Sequence, residues 1–499
     1  MRKHQQKQIL EILNTIREAQ EAKLYMDCQS GALAIASFIE GIEGEGTETV
    51  ALLAEYCELI YKSSIGEIGD KPLRRHFFKI ENSVNDELKP NRIEVLFLPY
   101  QASMFDSFES IYRTAEADPD CDAYVMPIPY YDLNPDKTLG KMYYSGDGYP
   151  EDIPITNWQE YDVEKRHPDI IFTHYPYDDT AVNATIHRDF YSKRIHELCE
   201  LLVHVPYYVS VFDNVNESDA FLPGILYADR SVVQSEELRQ IYLGHYQKRE
   251  KEPGWRETFG KAGDKFVVLG SPKLDKAVNA RREDYELPPD WRDKITNPDG
   301  SYKKVILYNT HMFIWINNAE QYYQKLNDIF DIFSERDDLI LWWRPHPNTE
   351  LNMRQFRPQL MNEYYSLING FKNESWGVYD DTPDLHRALV WSDAYYGDWS
   401  SLVAMFGVTG KPIVIQNITE EYCGAIDRYF AHPLREASDN AALSNVLDYA
   451  VREASDVCFA LQEDGTVVGQ KEAFRAMAEY PDGTSGAHIY EHVKKQVFA

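Results

Sequence analysis

The chain has 499 residues, a formal net charge of −30 and 43% hydrophobic residues. That length is too great for one hydrophobic core and predicts two or three domains. The acidic balance excludes nucleic acid as a partner, because phosphate backbones need a basic footprint, and it offers no general attraction to anionic lipid.

The first 87 residues read as helices. Ile9, Ile12, Leu13 and Ile16 recur at helical spacing, and "GALAIASFIEGI" and "TETVALLAEYCELIY" are two further amphipathic segments parted by the breaker "EGEG". The expected product is a small helical hairpin or bundle packed on the main body. The start, "MRKHQQKQILEILNTIREAQ", is basic but interrupted by charges, so it is not read as a signal peptide. No stretch reaches the apolar length that spans a bilayer. The expected location is the cytoplasm, with at most peripheral contact at the inner membrane face. The six cysteines (Cys28, Cys57, Cys121, Cys199, Cys423 and Cys458) form no C-x-x-C pair. That argues for reduced, mostly buried thiols rather than a zinc site or a disulfide framework.

From Asn91 strands and helices alternate. "IEVLFLPY" is a continuous apolar run, "MFDSFESIYRTAEA" a helix, and "CDAYVMPIPY", "PDIIFTHYP", "LLVHVPYYVSV", "SVVQS" and "KFVVLGSP" are further strands. Apolar runs without alternation suit a parallel sheet covered on both faces. "ELPPDWRDKITNPDGSYKK" reads as a connection, after which the pattern restarts. "KVILYNTH", "DLILWWRPHP", "SDAYYGD" and "KPIVIQN" are strands; "AEQYYQKLNDIFDIFSER", "MRQFRPQLMNEYYSLI" and "SSLVAMFGV" are helices. Residues past 435 return to helical texture. The expected organisation is a helical region at 1–87, two doubly wound parallel α/β domains at 88–285 and 286–435, and helices at 436–499. Two such sheets imply a cleft, and open α/β sheets bind ligands at the carboxyl ends of their strands.

The residues that follow the strands are therefore the candidates. Arg344 and His346 follow "DLILWW", and His311 follows the preceding strand. An Arg fork clamps oxyanions, and a histidine takes a proton at neutral pH. Asp398, Ser400 and Ser401 stand where the chain turns from strand into helix. Capping is the plain reading, and a phosphate held on free helix N–H groups is the sharper one. Asp381 and Thr382 precede another helix; Thr382 is placed to cap it, and two such helix starts near one Arg would suit a diphosphate donor. His174 follows "IIFT", and Ser271 sits in "GSPKLDK" with Lys273 and Asp275, a Gly-Ser-Pro turn followed by Lys that suits an anion contact on the donor, although such turns are common. There is no GxGxxG, no P-loop, no HExxH and no G-x-S-x-G elbow, and neither metal nor cofactor is expected.

"SDAYYGDWSSLVAMFGVTGKPIVI" resembles the D-Y-S-S segment of the CDP-glycerol glycerophosphotransferases, which polymerise teichoic acids. "WWRPHP" resembles that family's Arg-x-His segment, and "YADRSVVQSEELRQIY" and "VVLGSPKLD" resemble its exit from the first Rossmann unit. The resemblance is clearest between residues 227 and 417. It implies a GT-B architecture, with the first domain on the acceptor side and the second on the side of a CDP-linked donor. It implies a polyol-phosphate or glycan acceptor, with or without a lipid link, and leaves room for a homo-oligomer. His346 matches a family catalytic histidine, and Asp398, Ser400 and Ser401 match donor-binding residues, with Arg344 beside the diphosphate. The family's other catalytic histidine lies in a His-Gly-Thr-Pro segment. Here that strand end reads "VHVPYYVSVFDN". His204 falls within the strand, and His174 and Asp213 are the candidates for the missing role. A sugar-nucleotide glycosyltransferase and a non-catalytic binding protein remain the alternatives on the same fold.

Overall fold

The computed structural model describes residues 1–134, 136–181, 183–210, 215–317, 319–398, 400–411, 413–416, 435–437, 459–461, 467–469 and 477–498. Four helices come first: α1 (Lys3–Glu21), α2 (Tyr25–Glu43), α3 (Glu48–Ser64) and α4 (Asp70–Asp86). Their shared core includes Ile9, Leu13, Ile16, Ile35, Leu53, Tyr56, Leu73 and Ile80. Ile12, expected on the same stripe, is 42% exposed. The apolar face of α1 is narrower than the spacing suggested. α2 stops where Gly44 takes φ +82°, a conformation that costs glycine nothing.

The first α/β unit is a six-stranded parallel sheet of β1 (Ile93–Leu98), β2 (Cys121–Val125), β5 (Ile170–Thr173), β7 (Leu201–His204), β8 (Arg230–Val233) and β9 (Phe266–Val268), in the order β2-β1-β5-β7-β8-β9. Every residue of β1 is buried. Ile93, Val95 and Phe97 enter one core and Leu96 and Leu98 the other, which is why the run is apolar without alternation. "CDAYVMPIPY" does not form one strand. Pro127 and Pro129 cannot donate to a ladder, so β2 stops at Val125. The chain then starts a small antiparallel sheet of β3 (Tyr130–Leu133), β4 (Leu139–Tyr143) and β6 (Ala184–Ile186). The helix expected after β1 is divided into a 3₁₀ turn at Ala102–Ser107 and α5 (Glu109–Glu116).

The second unit contains β10 (Lys304–Thr310), β11 (Leu339–Pro345), β12 (Gly377–Tyr379), β13 (Ala394–Gly397), β14 (Ile413–Gln416) and β15 (Arg435–Ala437). Their order is β12-β11-β10-β13-β14-β15, all parallel, the strand order of a Rossmann sheet. Val305, Leu307, Ile340 and Trp342 face one core, while Ile306, Tyr308, Leu341 and Trp343 face the other. "MRQFRPQLMNEYYSLI" is not one helix. Arg357 precedes Pro358 and takes φ −138°, ψ 50°, splitting the segment into helices Thr349–Phe356 and Met361–Lys372.

Helix is found beyond 435 over Ser485–Phe498, preceded by the short strands Arg435–Ala437, Phe459–Leu461 and Val467–Gly469. Ile489, Tyr490, Val493 and Val497 of that last helix enter the core of the first unit, so the chain crosses back to it. The architecture is α/β and GT-B-like: two Rossmann-like parallel sheets face each other across a cleft, with a helical region before them. No helix among the described residues is long and apolar enough to cross a membrane.

Candidate active site

The strand order of the second sheet reverses between β10 and β13, which makes the loops after them the natural ligand edge. Asn309 on β10 pairs with Arg344 on β11 and with Gly397 on β13, so the three strand ends lie side by side. Gly397 has φ +150°, and a Cβ there would stand 2.3 Å from the carbonyl oxygen of Asn309. Only glycine lets the two backbones come this close.

Asp398 follows Gly397 and is 3% exposed. Its carboxylate accepts the backbone N–H of His311 at 2.6 Å and the hydroxyl of Tyr322. Its own N–H donates to Asn309 at 2.9 Å, and Tyr395 donates its hydroxyl to the Asp398 carbonyl at 2.5 Å. Asp398 therefore works as an inward clamp that holds the loop after β10 against the turn after β13. Ser400 accepts the N–H of Leu402 at 3.2 Å and donates to the Asn309 side chain at 3.0 Å. It is the N-cap of the helix Ser401–Gly407, so capping is what its hydroxyl does. Ser401 opens that helix and is half-buried, while Trp399 lies outside the described residues.

His346 is half-buried at the end of β11. Its N–H donates to Thr310 at 2.9 Å, and its Nδ1 accepts the N–H of Asn348 at 3.1 Å. A backbone N–H can only donate, so Nδ1 carries no proton and the neutral ring carries its proton on Nε2. Burial, with His311 beside it, pushes its pKa down to about 3. The two rings meet edge to face, 5.1 Å apart. Burial likewise lowers His311 to about 4. Both imidazoles are neutral at pH 7.

Arg344 is buried, and its guanidinium lies 2.7 Å from the Asp380 carboxylate and donates to the Thr382 carbonyl at 2.7 Å. Asp380 also accepts the Trp342 indole N–H at 3.0 Å and the Thr382 hydroxyl at 2.6 Å. Arg344 is thus committed to shaping the 380–383 turn rather than standing free as an anion clamp. Thr382 does not cap the next helix. That helix starts after Leu385, which offers no side-chain cap, and Asp384 just before it accepts the N–H of His386 at 2.9 Å. Asp381 is exposed at the rim, 3.6 Å from Lys372. Arg344, His346, Glu350 and residues Asp380 to Thr382 line a cavity of about 260 Å³ whose other wall is Gln101, Ser103 and Tyr130 of the first unit. A larger cavity of about 760 Å³ adjoins it, lined by Glu109, Glu151, Lys276, Glu286, Asp384 and Arg387 among others.

Two expectations for the first unit are corrected. His174 is fully buried. Its Nε2 accepts the N–H of Tyr100 at 3.2 Å, and its Nδ1–H donates at 3.0 Å to Ser107, whose own proton goes to Met104. Both ring nitrogens are occupied and the ring stacks on Phe108, so His174 is a structural residue with no lone pair for an acceptor proton. Burial, Lys273 and His204 lower its pKa to about 3. Ser271 lies away from Arg344 and His346. It lines a separate small cavity with Tyr208 and Gln234, and its N–H donates to Ser485 at 3.2 Å. The "GSPKLDK" turn is a joint for the last helix, since Asp275 accepts the N–H groups of Ser485 and Gly486 at 3.0 and 2.7 Å. His204 is buried in β7 with no hydrogen-bond partner on either ring nitrogen among the described residues, and Asp213 lies outside the described residues.

Sequence reasoning missed a buried charge cluster across the cleft. Asp106 of the first unit is ion-paired with Lys273, and it lies 3.3 Å from Nε2 of His386 on the second unit. Three segments far apart in the chain meet here, and no local pattern announces it.

No protein-family model and no curated protein matches the sequence. Solved structures similar to it include the wall teichoic acid polymerase TagF, at 13% identity over 91% of this chain and 98% of that one, with a TM-score of 0.44. A UDP-GlcNAc 2-epimerase from Methanocaldococcus jannaschii aligns at 12% identity over 81% of this chain and 99% of that one, TM-score 0.45. The UDP-GlcNAc-bound 2-epimerase from Neisseria meningitidis aligns at 10% identity over 81% and 100%, TM-score 0.43. At such identities neither the substrate nor the reaction of those proteins transfers to this chain.

Proposed function

We propose that the chain is a transferase that moves a glycerophosphate, or a related alditol phosphate, from a CDP-linked donor to an acceptor hydroxyl. The acceptor oxygen attacks the β-phosphorus, the bond to the bridging oxygen breaks, and CMP leaves. The observation that carries this reading is the placement of Arg344 and His346 on the cavity wall, at the same sheet edge as the Asp398–Ser401 turn and one strand away from it across β10. Both belong to segments whose residues resemble the CDP-glycerol transferases. Phosphoryl transfer asks mainly for positioning and charge stabilisation. A neutral His346 with its proton on Nε2 offers a hydrogen bond to the leaving phosphate. His311, beside it, is the histidine assigned to take the acceptor proton.

A sugar-nucleotide transferase is the second reading, and the lining favours it in one respect. Glu350, Asp380 and Asp381 outnumber Arg344 around the cavity, an environment that suits sugar hydroxyls better than extra phosphates. A thermal-shift panel of CDP-glycerol, CDP-ribitol, UDP-sugars and CMP separates the two, because a ligand of the folded state raises its melting temperature. Stabilisation by CDP compounds and CMP is expected. Stabilisation by UDP-sugars alone overturns the first reading in favour of the second, and donor binding without turnover identifies a binding protein.

A further inference from the structure

At the amino edge of the first sheet, opposite the cleft, α1 meets the loops that enter β5 and β7. His4 of α1 and His167 stack face to face, with ring centroids 3.9 Å apart and planes inclined by 6°. Glu200, directly before β7, completes a group whose potential ligand atoms all lie within 4.8 Å of one another. Nδ1 of His167 is buried and has no hydrogen-bond partner among the described residues. His167 takes φ +45°, ψ 68°, a left-handed conformation, at the end of the short helix Val163–Arg166, and that turn directs its ring onto His4. Arg2 fixes the turn by donating to the carbonyl oxygens of Arg166 at 2.6 Å and His167 at 3.4 Å.

We infer that His4, His167 and Glu200 form a binding site for a zinc-class divalent metal ion that clamps the helical bundle to the first α/β unit. Two imidazoles and a carboxylate are the ligand types zinc takes, at bond lengths near 2.1 Å, which puts tetrahedral ligand atoms about 3.4 Å apart. The ligand atoms, now within 4.8 Å of one another, would draw in to that spacing on binding, and a water would complete four-coordination. Burial lowers the pKa of both histidines, with His4 at about 4, so the rings are neutral and able to ligate at pH 7. Lys7 is ion-paired with Glu200 and half exposed, so it can swing into solvent when the metal takes the carboxylate. Arg2, the other cation nearby, is already held by Glu94 and Asp169, 3.4 and 3.8 Å away.

The test is zinc titration of the full, tag-free chain after chelator treatment, by calorimetry and by thermal shift, with cobalt substitution as a spectroscopic check of tetrahedral geometry. One equivalent of zinc, a raised melting temperature and a tetrahedral cobalt spectrum are expected. His167→Ala and His4→Ala should each weaken zinc more than about 100-fold, and Glu200→Gln about 10-fold or more. His346→Ala, which alters the other histidine pair, should leave zinc binding unchanged. Circular dichroism confirms that each variant folds. The inference is overturned if the folded wild type binds no zinc, if folded His4→Ala and His167→Ala bind as the wild type does, or if binding is lost with His346 instead.

Discussion

Replacing His346 by Asn separates its turn from its chemistry. Nδ1 of His346 accepts the N–H of Asn348 at 3.1 Å, two residues on. An Asn side-chain oxygen makes the same local bond, so His346→Asn preserves the turn. His346→Ala loses the bond and should cost about 0.5–1.5 kcal/mol of stability. Asn does not replace the Nε2–H at the far side of the ring. If that group steadies the leaving phosphate, its loss should cut turnover about 10²- to 10³-fold, roughly 2.7–4 kcal/mol of transition-state stabilisation. Donor affinity should change little, because the contact strengthens as charge develops on the leaving group. The assay is CMP release from CDP-glycerol at saturating donor, beside calorimetric donor affinity. The pH profile adds a second check. With its pKa near 3, His346 is already neutral from pH 5 to 8, so this residue contributes no titration step to the free-enzyme profile in that range. Full turnover by His346→Asn refutes the assignment, as does an activity limb near pH 6.5 that disappears in the variant.

Three further outcomes follow from the geometry. Asp398→Ala removes the acceptor for the His311 N–H and the Tyr322 hydroxyl, bonds to a charged group worth about 1.5–3 kcal/mol each. Denaturant unfolding should show a loss of about 3 kcal/mol or more, with Tyr322→Phe losing about half as much and the pair non-additive; wild-type stability in Asp398→Ala would contradict the clamp. Arg344→Ala leaves Asp380 buried and uncompensated, and should cost about 3–5 kcal/mol by the same measurement. For Asp106, burial pushes the carboxyl up, but Lys273 and His386 outweigh it and hold it well below the usual range. A depressed folded pKa means stability that is full above the unfolded value of about 3.9 and lost as pH falls through the folded one. The wild type should therefore lose this contribution only below pH 4. Lys273→Met should lack it at neutral pH, with the deficit against wild type shrinking as pH falls below 4, and identical urea midpoints for the two chains from pH 3 to 7 would exclude the coupling.

The framework was legible because it is written in local pattern. Runs such as "IEVLFL" and "KVILYNT" have no polar alternation, and both faces of their strands are buried. Once β10, β11 and β13 are read as parallel neighbours, the polar residues that follow them must share an edge, which brings His311, His346 and Asp398 together. What failed locally failed at prolines. Pro127, Pro129 and Pro358 each end an element inside an apolar pattern that otherwise continues past them.

The orientation of side chains at the edge was not legible at all, and the reason is physical. Whether Asp398 faces a ligand or the protein depends on a donor being available inside, and that donor is Tyr322, whose helix shows an ordinary amphipathic stripe. Arg344 reads as an anion clamp until Asp380 is found 2.7 Å away, and His174 reads as a base until Tyr100 and Ser107 are found on its two nitrogens. A buried polar group must be satisfied somewhere, and from the sequence a ligand and a distant side chain satisfy it equally well. His346 differs from these three: its Nδ1 bonds only locally, to the backbone two residues away, and its ring stands on the cavity wall. A role that survives this comparison is worth testing first, because the protein's own packing has not already explained why the residue is there.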